Sequence, residues 1–150
     1  MIFSHRITIA TLFLFSPLKA QTMIKGSAIV TSRSGSAHAK DASGKRVSTA
    51  SHEILLPSGL TLSTTKDANI FLTFSNGVAL ALNEESVVQC TDYTQRSFDE
   101  EDQARSLEPS VSNLKLRLIE GQIAVASKRL SPLSELRIQL PKGELRLHKG

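Results

Sequence analysis

Residues 71–86 read "FLTFSNGVALALNEES", and the fold follows from this stretch. Together with Ile70 just before it, Leu72 and Phe74 lie two residues apart, as do Val78, Leu80 and Leu82 beyond Asn76-Gly77. Side chains alternate between the two faces of a strand, so this spacing puts each trio on one face of an extended element. Asn-Gly is the preferred pair for a type I′ turn, in which both central residues take positive φ. The stretch therefore predicts a β-hairpin centred on Asn76-Gly77. Its opposite faces hold Phe71, Thr73 and Ser75, then Ala79, Ala81 and Asn83, which suits a sheet buried on one side and thinly covered or wet on the other.

The same period returns towards the C-terminus. In "SNLKLRLIEGQIAVAS" Leu114, Leu116 and Leu118 alternate with Lys115 and Arg117, and a second strand runs through Ile123 and Val125 after Glu120-Gly121. "ELRIQLPKGELRLHKG" repeats the theme with Leu136, Ile138 and Leu140, a turn at Pro141-Lys142-Gly143, then Leu145 and Leu147. Upstream, "HEILLPSGLTLSTT" reads as two short strands joined by a tight bend at Pro57-Ser58-Gly59. A short strand over residues 27–31 gives way to a Ser, Gly and Ala-rich polar stretch, a composition of loops or weak edge strands. Residues 94–112 form a polar connection without alternation, with room for one or two helical turns before Pro109. Many short strands with regular turn signals predict an all-β fold, a sandwich or barrel-like stack of short antiparallel strands and hairpins.

Composition sets the outer limits. A chain of 150 residues, 40% of them hydrophobic, has the material for one domain core. The core is aliphatic, since the chain has no Trp and one Tyr, Tyr93. Residues 1–20, "MIFSHRITIATLFLFSPLKA", show a basic start at Arg6, an apolar run from Ile7 to Phe15, a break at Pro17 and a small residue at Ala20. That is the layout of a secretory signal peptide, and the run is too short for a membrane span. The expected product is residues 21–150, in the periplasm or outside the cell, with no stable membrane span. Loss of Arg6 and Lys19 leaves 16 basic residues (18 less those two) against 14 acidic ones, a net of +2. The basic residues are scattered, without interleaved aromatics, so nucleic acid is not an expected partner.

The residues that carry chemistry do not assemble into a motif. Cys90 is the single cysteine and cannot form an internal disulfide; in "ESVVQCT" it reads as a small apolar strand residue. His38, His52 and His148 are isolated and match no metal-ligand spacing. "ASGKRVS", residues 42–48, lacks the first Gly and the following helix of a phosphate-binding loop and reads as a basic turn. The acidic run Asp99 to Asp102 lacks the spaced ligands of a calcium loop. Glu84-Glu85 and Glu100-Glu101 would need an aromatic-lined cleft to serve glycoside hydrolysis. The expectation is no catalytic residue, no cofactor, no metal, and no enzyme activity.

Laid end to end, these pieces resemble the FecR-like domain, an extracytoplasmic β domain of bacterial regulators of iron uptake. The stretches that carry the resemblance are "GSAIV", "LLPSGLTLST", "DANIFLTFSNGVALALNEES", "LRLIEGQIAV" and "LRIQLPKGELRLHKG", in that order. The positions that match the family's pattern are Gly59, Thr64, Asn76, Gly77, Ser86 and Gly121. "LEPSVSNLKLRLIEGQI" is similar to the version of the domain in secreted proteins of the Verrucomicrobia and their relatives. Regulators of the iron-uptake type carry a cytoplasmic sigma-factor-binding segment and a membrane helix ahead of the domain, whereas here a signal peptide leads into it. Leu140 and Lys149 stand where the family has Thr and Arg, and the sequence stops at Gly150 where the family has more chain, so the expectation is a domain either shortened or truncated at its C-terminus. The resemblance implies a non-enzymatic exported module that works by contact with an envelope or periplasmic protein, in signalling or envelope assembly. The rival expectation is a carbohydrate or surface-matrix binding module, for which Tyr93, Phe71 and Phe98 are the aromatic candidates.

Overall fold

The computed structural model describes residues 22–97 and 108–147. The segment read as a signal peptide, the acidic run, Phe98 and His148 lie outside the described residues. In chain order the strands are β1 (Met23–Lys25), β2 (Ala28–Ser34), β3 (Ala37–Lys40), β4 (Arg46–Val47), β5 (Ile54–Leu55), β6 (Thr61–Thr64) and β7 (Asn69–Phe74). They continue as β8 (Ala79–Leu82), β9 (Val87–Arg96), β10 (Ser112–Glu120), β11 (Ile123–Ala126), β12 (Glu135–Leu140) and β13 (Gly143–Leu147). Among the described residues there is no helix long and apolar enough to cross a membrane.

Two sheets form. One runs β13-β12-β10-β9-β6-β3-β4, with β1 added on β9, and the other runs β11-β8-β7-β2-β5. The all-β sandwich expected from the alternation is the fold observed. Val30, Ile70, Leu72, Leu80 and Leu82 from the smaller sheet meet Val88, Tyr93, Leu114, Leu116 and Leu136 from the larger one, all at most 2% exposed. Each fully buried aliphatic side chain contributes about 1.5–3 kcal/mol of transfer free energy. The period-two trios named above therefore supply much of what holds the sheets together.

Four expectations need correction. The strands are not all antiparallel: β10 and β12 pair in parallel, Leu114 beside Leu136 and Leu116 beside Ile138. Segment 127–134 carries the chain back to the start of β10, a long-range return that local periodicity does not encode. The polar stretch after residue 31 is also more ordered than its composition suggests. Its two-residue edge strand β4 fits that composition, but the stretch also completes β2 and forms β3 inside the sheet, with Ala37 and Ala39 facing the core between exposed His38 and Lys40. The alternation is there, written in side chains too small to register as hydrophobic.

The polar connection 94–112 begins as strand, since Thr94, Gln95 and Arg96 continue β9 and pair with β1. At its far end Glu108, Ser110 and Ser112 are buried, not solvated. Fourth, the turn at Asn76-Gly77 is not type I′. Gly77 has φ 84°, but Asn76 does not take positive φ. Gly77 N–H donates to Phe74 O (2.8 Å) and Phe74 N–H donates to Val78 O (2.8 Å). This is a three-residue loop closed by a glycine in the left-handed region, the next commonest hairpin solution. β7 and β8 still pair as expected, Leu72 opposite Leu80.

Candidate functional site

Asn76 stays out of the left-handed region because its side chain is used inside the protein. It is 1% exposed. Its backbone N–H donates to the Tyr93 hydroxyl (2.9 Å), its Oδ1 accepts from Val78 N–H (3.1 Å), and its Nδ2 donates to Ser112 Oγ (2.8 Å). Ser112 Oγ donates to Glu108 Oε2 (3.1 Å), while Glu108 Oε1 accepts from Ser131 N–H (2.9 Å) and from Ser134 Oγ. On the other side the Tyr93 hydroxyl donates to Gln95 Oε1 (2.8 Å), which also accepts from Ser75 Oγ (2.7 Å). One polar chain thus links the β7–β8 turn, β9, β10 and the segment before β12. Burial pushes the Glu108 carboxyl above the ordinary carboxylate range, against the lowering effect of its three hydrogen bonds.

A carboxylate beside serine hydroxyls has the elements of acid–base chemistry, yet these groups are spent on one another. Ser112, Ser134 and Glu108 are 2%, 5% and 5% exposed. Buried polar groups cost free energy unless paired, and pairing of this kind fixes a unique core. Sequence reasoning missed the network. Its only local signal was Asn, Ser and Ser at positions where alternation calls for core residues.

A second polar cluster forms the corner where the chain passes between sheets. β10 and β11 read as a hairpin, but β11 pairs with β8 in the other sheet. At the crossing Gly121 has φ 81°, and a Cβ there would lie 2.3 Å from Ser86 Oγ and 2.6 Å from Glu85 O. Ser86 Oγ accepts from Gln122 N–H (2.9 Å), and Ser86 N–H donates to Thr64 Oγ1 (3.1 Å). Thr64 Oγ1 donates in turn to Asn83 O (2.5 Å). Thr64, Ser86 and Gly121, three of the positions singled out by the sequence, therefore meet at one point and tie the sheets together. Beside this corner lies an open depression of about 730 Å³ rimmed by Asp67, Asn83, Glu84, Glu85 and Glu120. Its carboxylates do not converge: among the described residues no three of His, Cys, Asp and Glu are placed to share a metal ion.

The remaining sequence candidates are scattered. Cys90 is buried on β9, its thiol pushed up to about 12 by burial and then by the Asp92 charge, the state of an inert core thiol. His38 and His52 are exposed, the latter at φ 68° in a turn. In the basic turn, Asp41 Oδ1 accepts from Ser43 N–H (2.9 Å), Ser43 Oγ (2.6 Å) and Lys45 N–H (3.0 Å), so the loop's own carboxylate takes the amides a phosphate would need. Of the aromatic candidates for stacking on sugars, Tyr93 is fully buried and is withdrawn from that role. Phe71 is 44% exposed on β7.

Another surface among the described residues is the seam between the sheet edges β13 and β11. An apolar groove of about 480 Å³ runs along it, lined by Leu118, Ile123, Val125, Ile138, Leu140 and Leu145. Leu140 and Leu145 are 38% and 46% exposed there. Among the described residues β13 ends its sheet and β11 ends the other, so each presents a row of backbone groups without a described strand beside it. Compared with family models, curated proteins and solved structures, the chain finds no match.

Proposed function

We propose that this chain is a non-enzymatic exported module of the FecR-like kind, working by protein–protein contact in the cell envelope through its β13–β11 seam. The observation that carries the reading is that the seam sets an apolar groove beside two sheet edges. Glu108 and the serines around it are buried and bonded to one another, while at the seam aliphatic side chains and a strand edge stand together on the outside. Main-chain groups at a free edge supply affinity when a partner strand adds to the sheet, and the flanking apolar positions supply specificity.

The test is photo-crosslinking in the producing cell. A photoreactive side chain at position 145 is expected to give a discrete protein adduct in the envelope fraction, and the same group at exposed position 38 to give none. Equal labelling at both positions, or no adduct at 145, overturns the reading.

A further inference from the structure

The edge strand β13 is self-complementary, and we propose that it joins a second copy of this chain, antiparallel about Leu145, into one continuous sheet across a two-fold axis. The inference rests on the contact reading above and names the partner at the same seam.

The register follows from the hairpin before it. β12 and β13 are joined by a two-residue loop, with Leu140 opposite Gly143 and Ile138 opposite Leu145. A two-residue loop requires its flanking pair to exchange both main-chain hydrogen bonds, and the alternation then repeats along the ladder. Gly143, Leu145 and Leu147 therefore spend their amides and carbonyls on β12, and those of Glu144 and Arg146 point to the free edge. A second β13 can be received only by these two residues. Set antiparallel about Leu145, Glu144 of each copy lies opposite Arg146 of the other, and both pairs are of the bonded type. Leu145 faces Leu145 in the closer, non-bonded type of pair, and Leu147 covers Gly143, which has no side chain to oppose it.

The charges agree with this register. On the outer face Arg146 stands in a cross-strand row with Arg137 and Lys115, three cations side by side with Asp92 at the inner end. Like charges directly opposite one another on a sheet destabilise it. Glu135 and Glu144 offset the row along their own strands. The second copy's Glu144 would complete it at the open end, and the four side chains Glu144 and Arg146 from two copies then alternate in sign both along and across the strands. On the inner face the same register makes an unbroken aliphatic row: Ile138, Leu145, Leu145 and Ile138. An unrelated partner strand would have to match both rows, whereas a second copy does so by symmetry.

Charge exchange tests this. The purified protein is expected to show a mass that rises from one chain to two across a concentration series in analytical ultracentrifugation. Glu144→Arg and Arg146→Glu should each weaken self-association about tenfold or more, since each turns two attractive cross-strand pairs into repulsive ones. Mixing the two variants, or combining both changes in one chain, should restore the two-chain mass, and unchanged circular dichroism shows that each variant folds. Single reversals that leave association intact, or a mixture that fails to recover it, overturn the inference. A wild-type protein that stays a single chain while position 145 crosslinks to another envelope protein overturns the second copy and leaves the contact reading standing. Neither self-association nor a crosslink removes both.

Discussion

Replacing Tyr93 by Phe removes one oxygen from the centre of the buried polar chain and leaves the packing in place. The ring meets Phe74 edge-on, centroids 5.3 Å apart, and Gly26 packs so closely that a Cβ there would lie 2.1 Å from the ring. The ring cannot shift to compensate. Without the hydroxyl, Gln95 Oε1 keeps its bond from Ser75, but the buried N–H of Asn76 loses its acceptor. Leaving one buried donor unpaired costs about 1–3 kcal/mol, and the retained bond at Gln95 places the expectation near the middle, about 2 kcal/mol. For a chain of this size that is a fall in Tm of roughly 4–8 °C. Urea unfolding followed by circular dichroism measures it, and an unchanged m-value shows that the loss is of native stability. A loss below about 0.5 kcal/mol would refute the reasoning, because it would mean that Asn76 N–H finds water or another acceptor.

Gly121→Ala should cost about 2–5 kcal/mol, adding the penalty of a left-handed alanine to the displacement of Ser86 and the Glu85 carbonyl, and chemical denaturation reads the change. Alkaline pH should destabilise the fold in two overlapping steps. Burial raises the Cys90 thiol from 9.0 to about 12 and the Tyr93 phenol from 10.0 to about 12. Since the unfolded chain releases these protons first, the stability from the neutral forms is complete below about pH 9 and is lost as pH rises towards 12. Cys90→Ala should remove the part of the loss that begins near pH 9, and the absorbance of the single tyrosine, followed against pH, should place its ionisation near 12 in the native protein.

The parts of this structure that were legible in the sequence are those that repeat locally. Leu72 and Leu80, Leu114 and Leu116, and Leu136 and Ile138 each announced a strand and its inner face, because a period of two in large aliphatic residues has few other readings. β3 escaped notice since its inner residues, Ala37 and Ala39, are small. Gly121 was visible as a turn but not as a crossing between sheets. A hairpin and a corner place the same residue types in sequence, and only the distant partners, β8 for β11 and β12 for β10, tell them apart. Asn76 marks the turn in the sequence, but its place there rests on the buried polar partners of its amide and not on left-handed backbone.

The candidate surface was less legible than the fold. "GELRL" reads as an ordinary strand, and neither its position at the end of a sheet nor the outward aim of Glu144 and Arg146 follows from those five letters. Both come from the topology, in which β12 takes one side of β13 and, among the described residues, no strand takes the other. The alternation of Glu, Leu and Arg gains meaning only once that edge is known to be free.

Residue-resolved amide hydrogen exchange on β13 tests the account most directly, by comparing the wild-type protein with Glu144→Arg at the same concentration. In the variant the Leu145 amide, bonded to β12, should exchange slowly, while those of residues 144 and 146 exchange as fast as a free edge; in the wild type all three should be slow. Slow exchange at 144 and 146 in both proteins, fast exchange there in both, or an unprotected Leu145 would contradict the claim that this edge pairs with a second copy of the chain.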